Sequence, residues 1–312
     1  MLQRPWMIPC VAVFWLAANG WLFVAKILPG MRTGAPPGQQ ALYASGDALV
    51  PIGWTVSWNE RPLGWALTES ARTDEGGMEV TSWLHFDHVP LDEMVPAWVG
   101  NLIRTVADAE GPRRFDAEGR LAIDPAGRLR TFRSAVVLPG AAAPIILEGT
   151  VDDGQVAMVV TAGDLRYDTT RTFPPDVSLG DELSPQATLP GLYEGRRWKV
   201  PIYSPLRPGQ AAIDVLHAEV GPEEAMFWEN RLVRVRIVTY RDDPTSSREP
   251  RCRMWVDLDG RVLRQDALLL GSALSFLRRS DEAALRLLEE VAKPLASGRA
   301  AGTPVVPTEE AR

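Results

Sequence analysis

RLVRVRIVTY, residues Arg231–Tyr240, is the stretch on which the fold turns. Val233, Val235 and Ile237 fall on one side of an extended chain, and Arg234 and Arg236 on the other. Successive strand side chains point to opposite faces, so this alternation predicts a half-buried antiparallel strand. The chain then turns through RDDPTSSREP (241–250) and returns as CRMWVDLDGRVLRQDALLL (252–270).

The same period recurs upstream. Trp54, Val56 and Trp58 alternate, Asn59-Glu60-Arg61-Pro62 breaks the run, and Trp65 and Leu67 resume it. GMEVTSWLHF (77–86) is a further strand of period 2. Helical spacing is found at two places. Val95, Trp98, Val99, Leu102 and Val106 predict a helix over 96–107, with Pro96 in its first turn. Ser280, Asp281 and Glu282 open a last helix over 281–293, with an apolar stripe of Leu285, Leu288 and Ala292 and a stop at Pro294. These signals give a mainly β (α+β) chain: curved antiparallel sheets or a half-barrel with a few packing helices.

A D-x-x-G-R pattern occurs three times, at Asp116–Arg120, Asp124–Arg128 and Asp257–Arg261. Asp starts a turn by bonding the backbone ahead of it and Gly accepts a positive φ, so all three read as hairpin turns. Strands over 129–138 and 262–270 follow the second and third copies, which suggests related halves, 50–185 and 190–293. The proline-rich stretch 189–210 joins them, with an edge strand around Trp198, Val200 and Ile202.

The N-terminus has a different chemistry. PWMIPCVAVFWLAANGWLFVA, residues 5–25, carries no charge. At about 1.5 Å per residue it is long enough for a hydrocarbon core of about 30 Å. Trp6 and Trp21 flank it and Lys26 can reach the interface. One N-terminal transmembrane helix is therefore expected within 1–28, with residues 5–28 in the membrane. The chain then runs through a flexible spacer at 29–49, a β-rich domain at 50–293 and a disordered tail at 294–312. The competing reading is an export signal cleaved at Ala18-Asn19-Gly20. Either reading puts the domain on the far side of the cell membrane, periplasmic or extracellular.

Composition removes several function classes. With 312 residues, a net charge of −7 and a pI near 5.2, the chain lacks the basic footprint of a nucleic-acid binder. Cys10 and Cys252 lie too far apart in character and position for a disulfide or a clustered zinc site. No nucleophile elbow, phosphate loop, dinucleotide fingerprint or zincin motif occurs, and no cofactor is implied. His85-Phe-Asp-His88 offers two imidazoles, but residues three apart on a strand face opposite ways, so no metal site is expected. Adjacent acid pairs such as Asp152-Asp153 and Asp242-Asp243 sit at turns and do not span a cleft.

Two groups remain as binding candidates. Tryptophans Trp54, Trp58, Trp65, Trp83, Trp98, Trp228 and Trp255 could line an apolar cavity, or pack a core. Arginines exceed acids by 11 to 6 between 231 and 279, so Arg234, Arg236, Arg251, Arg253 and Arg264 could form a basic docking face.

The Trp-bearing first strand, the Gly64-Trp65 restart and the later run W-V-D-L-D-G-R-V-L-R (255–264) resemble the periplasmic lipoprotein-carrier superfamily. That resemblance covers about 50–110 and 225–292 and implies a curved antiparallel half-barrel with an apolar cavity for acyl chains. It implies no specific ligand residue, and the middle of the chain has no counterpart in it. The leading expectation is a membrane-anchored, non-enzymatic binding or scaffold protein holding a lipid or another apolar ligand. The alternatives are an accessory subunit of an envelope transport or assembly complex, docking through the arginines, and a hydrolase with an unrecognised site.

Overall fold

The computed structural model describes residues 7–22, 34, 36–37, 50–87, 115–137, 143–173, 178–179, 185–203, 213–269 and 272–299. Within these, fifteen strands form one sheet, in the order β8-β7-β6-β5-β4-β3-β2-β1-β15-β14-β13-β12-β11-β10-β9. One limb is an antiparallel meander leading away from β1 (Ile52–Trp58). It comprises β2 (Arg61–Arg72), β3 (Met78–Phe86), β4 (Phe115–Ile123), β5 (Leu129–Val137), β6 (Ile145–Asp152), β7 (Gln155–Ala162) and β8 (Leu165–Thr172). The other limb returns to β1: β9 (Ser178–Leu179), β10 (Arg197–Tyr203), β11 (Ile213–Trp228), β12 (Arg231–Arg241), β13 (Cys252–Asp257), β14 (Val262–Leu269) and β15 (Ser272–Arg278). The limbs join where β1 pairs with β15, Trp54 opposite Arg278 and Trp58 opposite Leu274. The first and last strands thus meet in the middle of the sheet.

A sheet of this width does not stay flat, because each strand adds right-handed twist. Its curvature shows in burial. Trp54, Val56 and Trp58 share one face with Phe276, Val256, Val238, Tyr240, Leu216 and Trp198 in a single buried cluster. Trp54 and Phe276 have no solvent exposure at all. Besides the sheet, the cluster takes in Ala187 and Leu189 from the connection between the limbs. That connection is pinned by Val262 N–H to the Ala187 carbonyl (3.1 Å) and Leu189 N–H to the Gly260 carbonyl (2.7 Å). The sheet closes over its own side chains, each fully buried large one contributing about 1.5–3 kcal/mol.

The opposite face carries α2 (Asp281–Arg299). Ser280 caps it, its hydroxyl accepting from Ala283 N–H at 3.3 Å, as the sequence predicts. Its buried row is Ala284 and Leu287, and Leu285 is exposed, contrary to the expected stripe. Gly53 is the reason: a Cβ there would sit 3.2 Å from Ala284, so the helix seats its smallest side chain on β1 and turns Leu285 outward. The helix also continues past Pro294 to Arg299. A proline keeps a helical φ and forfeits its own N–H bond, so it need not end the helix there. The N-terminal helix α1 spans Met7–Leu22. Among the described residues no helix is long and apolar enough to cross a membrane. The helix expected over 96–107 lies outside the described residues.

Two of the three D-x-x-G-R runs are hairpin turns with the same geometry. In each, the Asp N–H donates to the Arg carbonyl, the Gly N–H to the Asp carbonyl, and the Asp carboxylate takes the Arg N–H and its Nε–H. Gly127 and Gly260 hold φ of 79° and 85°. Both turns end in a β-bulge, at Ala122/Ile123 and Trp255/Val256, the extra residue that a glycine in the left-handed region creates. Thr73-Asp-Glu-Gly76-Gly77 makes the same turn with Thr73 Oγ1 in place of the carboxylate. The first run, Asp116–Arg120, lies inside β4 instead. Gly119 pairs with Ser82 and Ser134 in the ladder, and Asp116 bonds His85 rather than its own backbone.

Two strand expectations need revision. β12 buries both faces: Val235 on one, Val238 and Tyr240 on the other. The row entering the main core is the one that also carries Arg234 and Arg236. These arginines lie beyond the rim of the core, where the Gly221-Pro222 bulge of β11 brings Glu223 opposite Arg236. Strand β10 is second from the end, covered by the two residues of β9 and by a bridge from Gly34. Gly34 N–H donates to the Arg197 carbonyl, so odd-numbered residues turn outward, and Pro201 loses no bond to β11.

Candidate functional site

The tryptophans do not converge. Trp54 and Trp58 lie in the core beside Trp198, which the sequence reading left out of the set. Trp65 and Trp83 project from the other face of β2 and β3, where Trp65 stacks on His85 at 5.4 Å. Trp228 ends β11 and donates from Nε1 to the Arg278 carbonyl at 2.9 Å, which holds the β11–β12 hairpin against the start of α2. Trp98 lies outside the described residues. Trp255 lies under the Arg264 guanidinium, 4.9 Å from its ring.

The arginines do not form one face either. Arg234 and Arg236 both reach Glu223, at 2.9 and 3.5 Å. Arg251 lies between Asp214 and Asp242, and Arg264 makes a two-point contact with Asp266 at 2.8 Å. Most of the positive charge is therefore matched within the chain. Arg253 and Trp255 do share an open groove of about 480 Å³ beside the β11 bulge, floored by Ile237 and Thr239 and edged by Glu194, Glu219 and Glu224.

His85 lies between two carboxylates. Its Nδ1 lies 2.6 Å from Asp116 and its Nε2 3.4 Å from Asp87. His88 lies outside the described residues, and among the described residues no group of three His, Cys, Asp or Glu is placed to hold a metal. The carboxyls with displaced pKa belong to turns and caps. Burial raises that of Asp124, but bonds from Arg128 outweigh it and hold the group below its ordinary value. Thr245 does the same for Asp243, and backbone N–H with Ser280 for Glu282.

An unforeseen feature occupies the far limb, β4 to β8. The face that is core around Trp54 continues there as cross-strand rows. One runs Leu121, Phe132, Gly149, Met158, and it is closed: with Leu129, Val156 and Phe173 it forms a second buried cluster. Gly149 permits this, since a Cβ there would fall 2.2 Å from the Phe132 ring. The next two rows are open. Val136, Ile145, Ala162 and Leu165 form one, and Leu147, Val160 and Tyr167 the other. Their inner members are half-buried, while Leu165 and Tyr167 are 75% and 60% exposed. This is an apolar strip that the described chain covers only in part, with Leu147 packed on the closed row and the β8 margin open. The signal that could have found its strands, which the sequence reading left unassigned, is the pair of two-residue turns Asp153-Gly154 and Gly163-Asp164, which mark tight hairpins.

No family model matches the chain, and no curated protein matches it. Two solved structures are similar in fold. A β-barrel-like protein of the domain of unknown function DUF1849 from Brucella abortus matches 74% of this chain and 97% of its own, at 11% identity and a TM-score of 0.42. A DUF1089 family protein from Pseudomonas aeruginosa matches 63% and 87%, at 15% identity and a TM-score of 0.30. Neither is described as a lipoprotein carrier. The large curved antiparallel sheet is the coarse part of the sequence resemblance that stands.

Proposed function

We propose that this is a membrane-tethered, non-enzymatic binding protein that holds an apolar ligand, of the lipid acyl class, against the open strip of β5 to β8. The observation that carries it is the partial exposure of Val136, Ile145, Leu147 and Val160, which run together beside the closed Phe132 row and out to exposed Leu165 and Tyr167. Isolated exposed apolar residues are ordinary, but a contiguous strip marks a contact surface. The tether is supported by α1. Its described side chains, Phe14 to Trp21, are all exposed, with Phe14 at 75% and Trp21 at 69%, and its one amide, Asn19, bonds the Trp15 carbonyl of its own helix. An apolar helix with no cover from the described chain is matched to lipid. The domain would then lie outside the cytoplasm, as a signal-anchor orientation requires.

The test is labelling of the full-length protein in membranes with a photoactivatable fatty acid, mapped by peptide mass spectrometry. Adducts are expected on β6–β8 peptides as well as on α1. Leu147→Asp and Val160→Asp should abolish the first set and spare the second, while Trp255→Ala changes neither. Labelling confined to α1 would reject the strip as the ligand surface.

A further inference from the structure

The outer edge of β8 is a ready-made seam. No strand pairs beyond it among the described residues, and all but one of its eight side chains are exposed. Phe173 N–H donates to the Gly154 carbonyl, and the β7–β8 register runs unbroken to Leu165. Odd-numbered residues therefore bond to β7, and Arg166, Asp168 and Thr170 turn their N–H and C=O groups outward.

We propose that β8 pairs antiparallel with β8 of a second copy, on a two-fold axis at Tyr167. In such a pair only residues of like parity can face each other, so the axis must pass through a residue. Centring on Arg166 sets that guanidinium against itself, and centring on Asp168 sets two carboxylates together. Centring on Tyr167 sets Arg166 against Asp168 of the second copy, twice. The two side chains already contact within one copy at 3.1 Å, so they lie on the same face, ready to exchange partners. Tyr167 meets its own equivalent as a non-hydrogen-bonded pair, and the flanking Arg166 and Asp168 supply four backbone hydrogen bonds. On the tyrosine side, Leu165 and Tyr167 become covered, and the apolar strip runs on into the second copy. This inference rests on the edge and its charges and does not require the ligand reading above.

Mixing charge variants of the full-length protein tests it, by sedimentation in a density-matched non-ionic detergent. The wild type should show a concentration-dependent dimer. Arg166→Asp makes both cross-pairs acidic and Asp168→Arg makes both basic, so each alone should weaken the dimer by about tenfold or more. An equimolar mixture restores both pairs and should dimerise like the wild type, which a folding defect could not produce. Tyr167→Cys should cross-link to itself on oxidation and Thr169→Cys should not. A monomeric wild type at about 100 μM, above the weak end of specific association, would overturn the proposal. So would a mixture no more dimeric than its components, or cross-linking at Thr169→Cys equal to that at Tyr167→Cys.

Discussion

Gly149→Ala should reverse the sign of its effect when Phe132 is removed. In the wild type, a methyl on residue 149 would lie 2.2, 2.3 and 2.9 Å from three carbons of the Phe132 ring, which is 4% exposed. None of those distances can be relieved by a few tenths of an ångström, so the ring must leave its place. Losing its burial costs about 2–3 kcal/mol. Replacing glycine within a strand returns about 0.5–1 kcal/mol through the unfolded chain. The net is a destabilisation of about 2 kcal/mol. With Phe132→Ala already in place there is no ring to displace, and the same substitution should stabilise by about 0.5–1 kcal/mol. The coupling between the two sites is then about 2–3 kcal/mol, well above the scatter of independent sites. Urea unfolding of the four proteins, followed by circular dichroism with the slope held common, reads it directly. Equal costs of Gly149→Ala in both backgrounds, or neutrality in the wild type, would refute the packing of β5 on β6 described above.

Asp257→Ala leaves the N–H groups of Asp259 and Arg261 and the Arg261 Nε without their acceptor, and should lower stability by about 2 kcal/mol. Asp116→Ala, from the run that lies within a strand, should cost no more than about 0.5 kcal/mol, and urea unfolding of both variants checks the contrast. Tyr240 is buried and its phenol is pushed far above its ordinary value, by burial first and then by Cys252. A raised folded-state pKa means that stability is full below the unfolded tyrosine value near 10 and falls as pH rises above it. An absorbance titration should therefore show one of the five tyrosines ionising only as the sheet unfolds, and its ionisation along with the others would contradict the burial.

The strands were legible where alternation was strong and the turn chemistry local. Trp54 to Trp58, Met78 to Phe86 and Arg231 to Tyr240 announce themselves, and Asp124–Arg128 and Asp257–Arg261 carry their turns in the side chain of their first residue. Which face of β12 enters the core was not legible, because both faces hold valines and the arginines share a row with Val238 and Tyr240. The D-x-x-G-R pattern misled at Asp116 because a glycine can serve a ladder as well as a turn. The apolar stripe of α2 misled because its register is set by Gly53, more than two hundred positions away. The open strip escaped notice for a similar reason: Val136, Leu147 and Val160 are ordinary strand residues until pairing lines them up. The tryptophans, conspicuous by type, scattered over both faces because an indole fills a core as readily as it lines a cavity.

The pairing of β1 with β15 carries a consequence for how the chain is made. Asn59 and Ala273 exchange hydrogen bonds across 214 residues of sequence, at the centre of the sheet. On a growing chain the hairpins of β4 to β8 can close as they emerge, since their partners are neighbours. The first strand cannot complete its seam until the last one has been synthesised, and Trp54, Val56 and Trp58 wait uncovered through that interval. A messenger truncated shortly before the codon for Ser272 would thus do its damage at the opposite end of the protein, in the core nearest the N-terminus. Nascent chains of this design need the longest protection for their earliest folded-domain residues.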